Sequence, residues 1–140
     1  GHHISILPEI FQDFWDSLLL FGINIKNLLA AGVKDTYNFG PVLIKDGEAQ
    51  LPWAETEKYY PRTAVGMVKP NDYVLLVTDT GRYNGLNHWD MVNIFKSYGC
   101  TYAYNLDGGG SATLYFNGKV MNKLIGNTQR PCADFLYFTR

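Results

Sequence analysis

The stretch TYAYNLDGGGS, from Thr101 to Ser111, decides the fold of this chain. Its first half alternates between large and small or polar residues, and alternate residues of a β-strand lie on opposite faces. It therefore predicts a strand that ends at Asp107. The predicted core face carries Tyr102, Tyr104 and Leu106, and the opposite face, which borders a cleft, carries Ala103, Asn105 and Asp107.

Three glycines follow that strand. Gly108, Gly109 and Gly110 predict a tight turn whose bare backbone approaches a ligand closely and directs N–H groups at an anion. A flexible strand connection is the alternative interpretation. The patterns of a phosphate-binding P-loop and of a nucleophile elbow are both absent, so Ser111 is not predicted to act as a nucleophile.

The elements around this stretch are predicted from spacing and turn residues. Tyr73 to Thr78 is continuously apolar and β-prone, as in a central strand buried on both faces. Leu86 to Tyr98 has helical spacing, with a capping box at its start and an apolar stripe of Trp89, Val92, Phe95 and Tyr98. A hairpin is predicted over Ala112 to Asn122, with its turn at Asn117-Gly118.

The remaining elements predict an α+β fold, with a mixed or antiparallel sheet and packed helices. The predicted segments are helices at Leu7 to Phe21 and Ile25 to Ala31, strands at Val42 to Ile44, Ala64 to Val68 and Asp134 to Thr139, a turn at Asp46-Gly47, and a loop over residues 51 to 60 that lines a cleft.

Composition excludes several classes of protein. The 140 residues carry 12 Lys and Arg against 13 Asp and Glu, so no net basic field favours a nucleic-acid partner. No apolar run reaches the roughly 18 residues of a membrane span. Cys100 and Cys132 lack the spacing of a redox motif or zinc site. We expect Gly1-His2-His3 to be the remnant of a purification tag and no metal ligand.

The candidate chemistry rests on carboxylates and guanidinium groups near predicted strand ends. These are Asp79 and Asp107, with Arg62, Arg82 and Arg130. An arginine there fits bidentate anion recognition as well as a surface salt bridge. His88 falls in the first turn of a predicted helix, where a solvated or capping role is expected, so the chain offers no histidine for a Ser-His-Asp triad.

Four motifs in order give the chain a family resemblance. They are Phe39-Gly40-Pro41-Val42-Leu43, Pro61 to Gly66, Gly81-Arg82 and Asn105 to Ser111. Together they resemble the phosphodiester glycosidase family. The resemblance covers residues 24 to 140, which are predicted to form the C-terminal part of the family's domain, since its earlier Asn-Gly-rich motif has no match here. Residues 1 to 23 are predicted to hold the tag remnant and a leading helix.

The resemblance implies a hydrolase that cleaves a sugar 1-phosphodiester of the N-acetylglucosamine-phosphate type at its glycosidic bond. It implies an extracytoplasmic or secreted location, a sugar-phosphate substrate carried by a small molecule or a glycan, and an N-terminal portion of the same domain as a structural partner. The predicted scheme requires no metal and no other cofactor. The alternative is a non-catalytic module that binds a sugar phosphate or a cell-envelope glycan, with Trp53, Tyr59 and Tyr60 as aromatic walls.

Roles in the implied reaction follow from the bond that is cut. Asp107 is the first choice for nucleophile or general base, depending on how far it lies from a second carboxylate, and Asp79 is the second choice. Arg82 is predicted to stabilise the leaving phosphate. Substrate binding is assigned to Arg62, Thr63, Asn105, Gly108, Gly109, Gly110, Ser111 and Arg130.

Overall fold

The computed structural model describes residues 30, 39–51, 58–80, 85–132 and 135–137. The chain divides into two compact units, Phe39–Cys132 and a second unit made of Gly1–Asn38 with Ala133–Arg140. Apart from Ala30, the two predicted N-terminal helices lie outside the described residues. In the second unit residues 135–137 have no regular secondary structure, so the strand predicted there is not observed in them.

A five-stranded antiparallel sheet forms the centre of the unit Phe39–Cys132. In spatial order its strands are β2 (Glu48–Ala49), β1 (Val42–Lys45), β5 (Tyr102–Leu106), β3 (Thr63–Lys69) and β4 (Asp72–Val77). One helix, α1 (His88–Ser97), and a separate hairpin of β6 (Tyr115–Phe116) and β7 (Lys119–Val120) complete the regular elements longer than a single 3-10 turn in the described residues. The predicted α+β class and antiparallel sheet are confirmed.

Two tight turns form where the sequence predicts them. Asp46 and Gly47 have φ values of 51° and 79°, and Asn117 and Gly118 have 47° and 85°. Positive φ at both central residues is the geometry of a type I′ turn, which matches the twist of antiparallel strands. The local prediction of both hairpins is therefore confirmed.

The predicted position of Tyr73 to Thr78 in the sheet is wrong. This segment forms β4, an edge strand that pairs with β3 alone among the described strands, and Leu75 is 42% exposed. Val74 and Leu76 pack against the buried cluster, so the strand contacts the core with one face only. The central strand is β5, which lies between β1 and β3.

Helix α1 buries part of the predicted stripe. Val92 and Phe95 are buried as predicted, whereas Trp89 and Tyr98 are exposed. Met91 and His88 complete the buried face, so the prediction of a solvated histidine is wrong. The close contact behind this packing is Gly66, where an added Cβ would lie 2.5 Å from the Phe95 ring.

Both faces of β5 are covered, which corrects the predicted division between core and cleft. Tyr102 and Tyr104 are buried as predicted, but Ala103 belongs to the hydrophobic cluster beneath α1 and Asn105 is only 1% exposed. Asn105 therefore does not border an open cleft. Asp107, one residue beyond the strand, is exposed.

The start of α1 is fixed by the predicted capping box. Asn87 Oδ1 accepts from the Asp90 N–H at 2.8 Å, and Asp90 Oδ2 accepts from the Asn87 N–H at 3.3 Å. We expect Asn87→Ala to lower the free energy of unfolding by about 1 kcal/mol, because the N–H of Asp90 loses its acceptor. Chemical denaturation measures this loss. Asn93→Ala, at an exposed position of the same helix, is the control and should leave stability unchanged.

The two cysteines are both free thiols. Cys100 is buried next to Gly66, and burial, with a smaller contribution from the charge of Asp72, raises the pKa of its thiol. Cys132 is exposed. The Cys100 thiol is therefore protonated at neutral pH and packs as a small apolar group.

Candidate active site

Three neighbouring strands meet at one end of the sheet, and this places predicted site residues together. Thr63, the first residue of β3, pairs with Val77 at the end of β4 and with Leu106 at the end of β5. Asp107 directly follows β5, and Asp79 comes two residues after β4. Antiparallel pairing thus brings Asp79, Arg62 and Asp107 to the same end of the sheet.

Asp107 is the carboxylate around which the site is built. Its Oδ2 accepts a hydrogen bond from Ser111 Oγ at 2.7 Å and another from Arg130 Nη2 at 3.1 Å. The side chains of Arg130 and Asp107 are 57% and 51% exposed, so this ion pair lies at the surface. The two donors hold one carboxylate oxygen and orient the group, and Oδ1 has no partner in the described part of the chain.

The glycines after Asp107 form a single 3-10 turn, Gly109–Ser111. Gly109 has a φ of 57° and its N–H donates to Pro61 O at 2.7 Å, while the Ser111 N–H donates to Gly108 O at 3.0 Å. These two N–H groups are used within the chain and are not available to an anion. The turn is tight, as the sequence predicts.

Gly108 is packed too closely for a Cβ, and Gly110 is in ordinary contact with a neighbouring side chain. A Cβ at Gly108 would lie 2.6 Å from Pro61 O and 3.3 Å from Arg62 Cα. A Cβ at Gly110 would lie 3.7 Å from Arg130 Cδ. The turn therefore fits between the start of β3 and the arginine that binds Asp107.

Arg62 lies beside this turn, but its guanidinium group is engaged by backbone. Nε donates to Leu86 O at 3.1 Å, Nη2 donates to Lys58 O at 2.9 Å, and the group lies 5.4 Å from the centre of the Tyr60 ring. The neighbouring Thr63 has a buried Oγ1 with no hydrogen-bond partner in the described residues.

Asn105 supports a neighbouring segment from inside the fold. Its Nδ2 donates to Gly40 O at 2.7 Å, and its backbone N–H donates to Pro41 O at 3.1 Å. Its Oδ1 is buried and has no hydrogen-bond partner within the described residues. Asn105 thus attaches the motif of residues 39–43 to the strand that carries Asp107.

The two remaining predicted catalytic residues are placed only in part. Asp79 is exposed at the same end of the sheet as Asp107. The next residue, Thr80, donates its N–H to Lys123 O at 3.5 Å, which connects this segment to the region after β7. Arg82 lies outside the described residues, so its part in the site stays a prediction.

Several residues shape this region that the sequence patterns do not indicate. Thr78 bonds both backbone groups of Arg62, Pro61 accepts from the glycine turn, and Tyr60 forms a β-bridge with Leu86. The sequence patterns do not predict these contacts, because backbone groups make most of them. An open cavity of about 650 Å³ lies alongside, lined by Tyr59, Gly85, Leu86, Asp90, Asn93 and Ile94.

Within residues 30, 39–51, 58–80, 85–132 and 135–137, no group of three His, Cys, Asp or Glu side chains could hold a metal ion. No helix in these ranges is long and apolar enough to cross a membrane.

The order of motifs along the chain matches a known family. The sequence model of the phosphodiester glycosidase family matches residues 16–139 of this chain. The chain belongs to this family. The resemblance seen in the motifs from Phe39 to Ser111 is thereby confirmed.

Three proteins are similar to this phosphodiester glycosidase domain, two in sequence and one in fold. The SPbeta prophage-derived uncharacterized protein YomE of Bacillus subtilis is 33% identical over 115 residues, which are 78% of this chain and 18% of YomE. N-acetylglucosamine-1-phosphodiester alpha-N-acetylglucosaminidase of Mus musculus is 41% identical over 58 residues, which are 41% of this chain and 11% of the mouse enzyme. A hypothetical protein from Synechocystis has a similar fold, with a TM-score of 0.52 and 23% identity over 63% of this chain and 18% of that chain.

The chain thus spans less than a fifth of the curated relatives it matches.

Proposed function

We propose that this phosphodiester glycosidase domain hydrolyses a sugar 1-phosphodiester at the anomeric C–O bond. The observation that carries the proposal is the Asp107 carboxylate, half exposed at the end of the central strand and oriented by Ser111 and Arg130. The name of the mouse relative supports an N-acetylglucosamine-1-phosphodiester as the substrate class.

In the proposed reaction the bond from the anomeric carbon to the phosphate oxygen breaks and its electron pair leaves with the phosphate. A water molecule supplies the hydroxyl group of the free sugar, and its proton passes to the carboxylate and on to solvent. The products are the sugar and a phosphate monoester. Because a phosphate monoester is a good leaving group, this cleavage depends more on stabilising charge than on a strong general acid.

Asp107 is proposed to face the anomeric carbon as nucleophile or general base, with Asp79 as the second carboxylate. The free Oδ1 of Asp107 is the oxygen available for this role, because Ser111 and Arg130 already hold Oδ2. The contacts with Ser111 and Arg130 therefore orient Asp107 for this role.

The leaving phosphate is proposed to bind to cationic groups at this edge. Arg130 is exposed and its stem lies against Gly110, so a phosphate oxygen could contact the guanidinium group and the glycine backbone together. Arg82 is proposed as the second phosphate ligand. Thr63, Asn105 and Ser111 stay proposed for substrate binding.

The setting of the domain is also proposed from its family. Residues 24 to 140 are taken as its C-terminal part, which is completed by an N-terminal portion, and the proposed location is extracytoplasmic or secreted. The short coverage of YomE and of the mouse enzyme fits a domain that works within a longer protein. The proposed partner in catalysis is a sugar-phosphate substrate.

The experiment is a hydrolysis assay with the methyl diester of N-acetylglucosamine 1-phosphate, scored as free sugar. We expect Arg82→Ala to weaken both binding and turnover, with a loss of roughly 2 to 4 kcal/mol in transition-state stabilisation, because a phosphate ligand is removed. The matched control is Lys45→Ala on the distant strand β1, which should not change either quantity. Unchanged turnover in the Arg82 variant would remove that residue from the mechanism.

A binding module without catalysis is the second candidate, and the exposed rings of Tyr59 and Tyr60 favour it as a glycan surface. It predicts that the wild-type chain binds the diester and releases no sugar. In that case Arg82→Ala would lower affinity only. Release of N-acetylglucosamine by the wild-type chain excludes this second candidate.

A further inference from the structure

The guanidinium group of Arg62 connects two segments of backbone. It donates to Leu86 O at 3.1 Å and to Lys58 O at 2.9 Å, and it lies over the Tyr60 ring. Tyr60 and Leu86 are themselves joined by two backbone hydrogen bonds of 3.2 and 2.9 Å. The Arg62 side chain thus links residues 58–62 to the segment that leads into α1.

The backbone of Arg62 attaches residues 58–62 to the sheet. Its N–H donates to Thr78 Oγ1 at 2.8 Å, and its carbonyl accepts from the Thr78 N–H at 2.9 Å. The backbone N–H and carbonyl of Arg62 are therefore bound to Thr78, directly after β4, and its side chain is bound to Lys58 and Leu86. These four hydrogen bonds hold Arg62 within the part of the chain that the structure describes.

The glycine turn rests directly on this fixed segment. Pro61 O accepts the Gly109 N–H at 2.7 Å, and Gly108 leaves no room for a Cβ against Pro61 O. Asp107 precedes these glycines, so a shift of residues 58–62 would move the turn and the carboxylate with it. These contacts link the Arg62 side chain to Asp107 through residues 58–62 and the glycine turn.

From these contacts we infer that Arg62 is a positioning residue, which sets the Asp107 carboxylate by fixing the segment on which the glycine turn rests. This role takes the place of the direct phosphate contact predicted from the sequence. The effect of Arg62 on hydrolysis rests on the proposed function, whereas its effect on the glycine turn does not. Lysine cannot replace arginine here, because a single ammonium group lacks the planar fork that reaches both carbonyls and stacks on Tyr60.

The test compares Arg62→Lys and Arg62→Met with the wild-type chain by hydrogen exchange and by binding of inorganic phosphate. We expect the Gly109 and Leu86 amides to exchange roughly tenfold faster or more in both variants, because their acceptors lose support. Amides in the middle of the β3–β4 pair should keep wild-type rates, which shows that the fold is intact. Phosphate affinity should change less than about twofold.

Lys69→Met, at the opposite end of β3, is the matched control and should change neither measurement. In the hydrolysis assay both Arg62 variants should lose kcat with KM nearly unchanged, and the lysine variant should not rescue kcat. The inference is overturned if the turn amides keep wild-type rates, or if Arg62→Met weakens phosphate binding tenfold and Arg62→Lys restores it. A wild-type chain that hydrolyses nothing refutes the proposed function, and the exchange rates still decide the role of Arg62.

Discussion

Asp107→Asn is expected to lower kcat for hydrolysis of an N-acetylglucosamine-1-phosphodiester by roughly 10²- to 10⁴-fold and to change substrate affinity little. The amide keeps the size of the side chain, and its oxygen can still accept from Ser111 Oγ. The negative charge and the free carboxylate oxygen are lost. Steady-state kinetics with the diester, together with binding to the inactive variant, measures both effects.

The control for this substitution is Asp72→Asn, which removes an exposed carboxylate at the far end of the sheet, where β3 and β4 turn. We expect it to leave kcat at the wild-type value. A near-normal kcat in the Asp107 variant would exclude Asp107 from the chemistry. The catalytic carboxylate would then be Asp79 or a residue in the N-terminal portion of the domain.

Gly85→Ala is expected to destabilise the fold by about 3 kcal/mol or more. Gly85 has a φ of 97°, and an added Cβ would overlap the Tyr60 carbonyl, which accepts the Leu86 N–H. Neither backbone segment can move away without breaking the bridge between them. Denaturant unfolding measures the loss, and circular dichroism shows whether the variant folds.

Gly118→Ala separates backbone strain from overlap. Gly118 has a similar φ of 85°, but nothing lies within 4 Å of its would-be Cβ. This control should cost only about 1 kcal/mol, the usual strain of alanine in the left-handed region. Equal losses in the two variants would show that contact with Tyr60 contributes nothing.

The elements that could be predicted are those whose signals are local. Asp46-Gly47 and Asn117-Gly118 form the expected turns because a glycine at positive φ suits a type I′ turn wherever it lies. The capping box at Asn87 depends only on residues three positions apart. The tight turn after Asp107 could be predicted as well, because a strand followed by three glycines is a local pattern that does not depend on contacts with distant residues.

The elements that could not be predicted depend on neighbours far along the chain. An apolar run such as Tyr73 to Val77 does not reveal whether it lies at the centre or the edge of a sheet, since that depends on β5 pairing with β1 and β3. Helical spacing correctly predicted that Val92 and Phe95 face the core, but the burial of His88 depends on packing that has no local pattern.

The same limit applies to the site. A charged residue at a strand end suggested a ligand contact for Arg62, but the carbonyls of Lys58 and Leu86 that bind it have no side-chain signature. Strand alternation predicted Asn105 beside a cleft, but it could not predict that Asn105 is buried and bonded to the backbone of Gly40 and Pro41. Residue type therefore indicated which chemistry is present, and packing decided what each group touches.

The central position of β5 also determines when the site can form. The hairpin of β3 and β4 joins neighbours in the chain and can close early, whereas β5 must insert between β1 and β3, both of which were made long before it. Pairing of strands that are distant in the chain is slow compared with the closing of a local hairpin. We therefore expect the Asp107 carboxylate to acquire its neighbours among the last events of folding, once β5 has paired with β1 and β3.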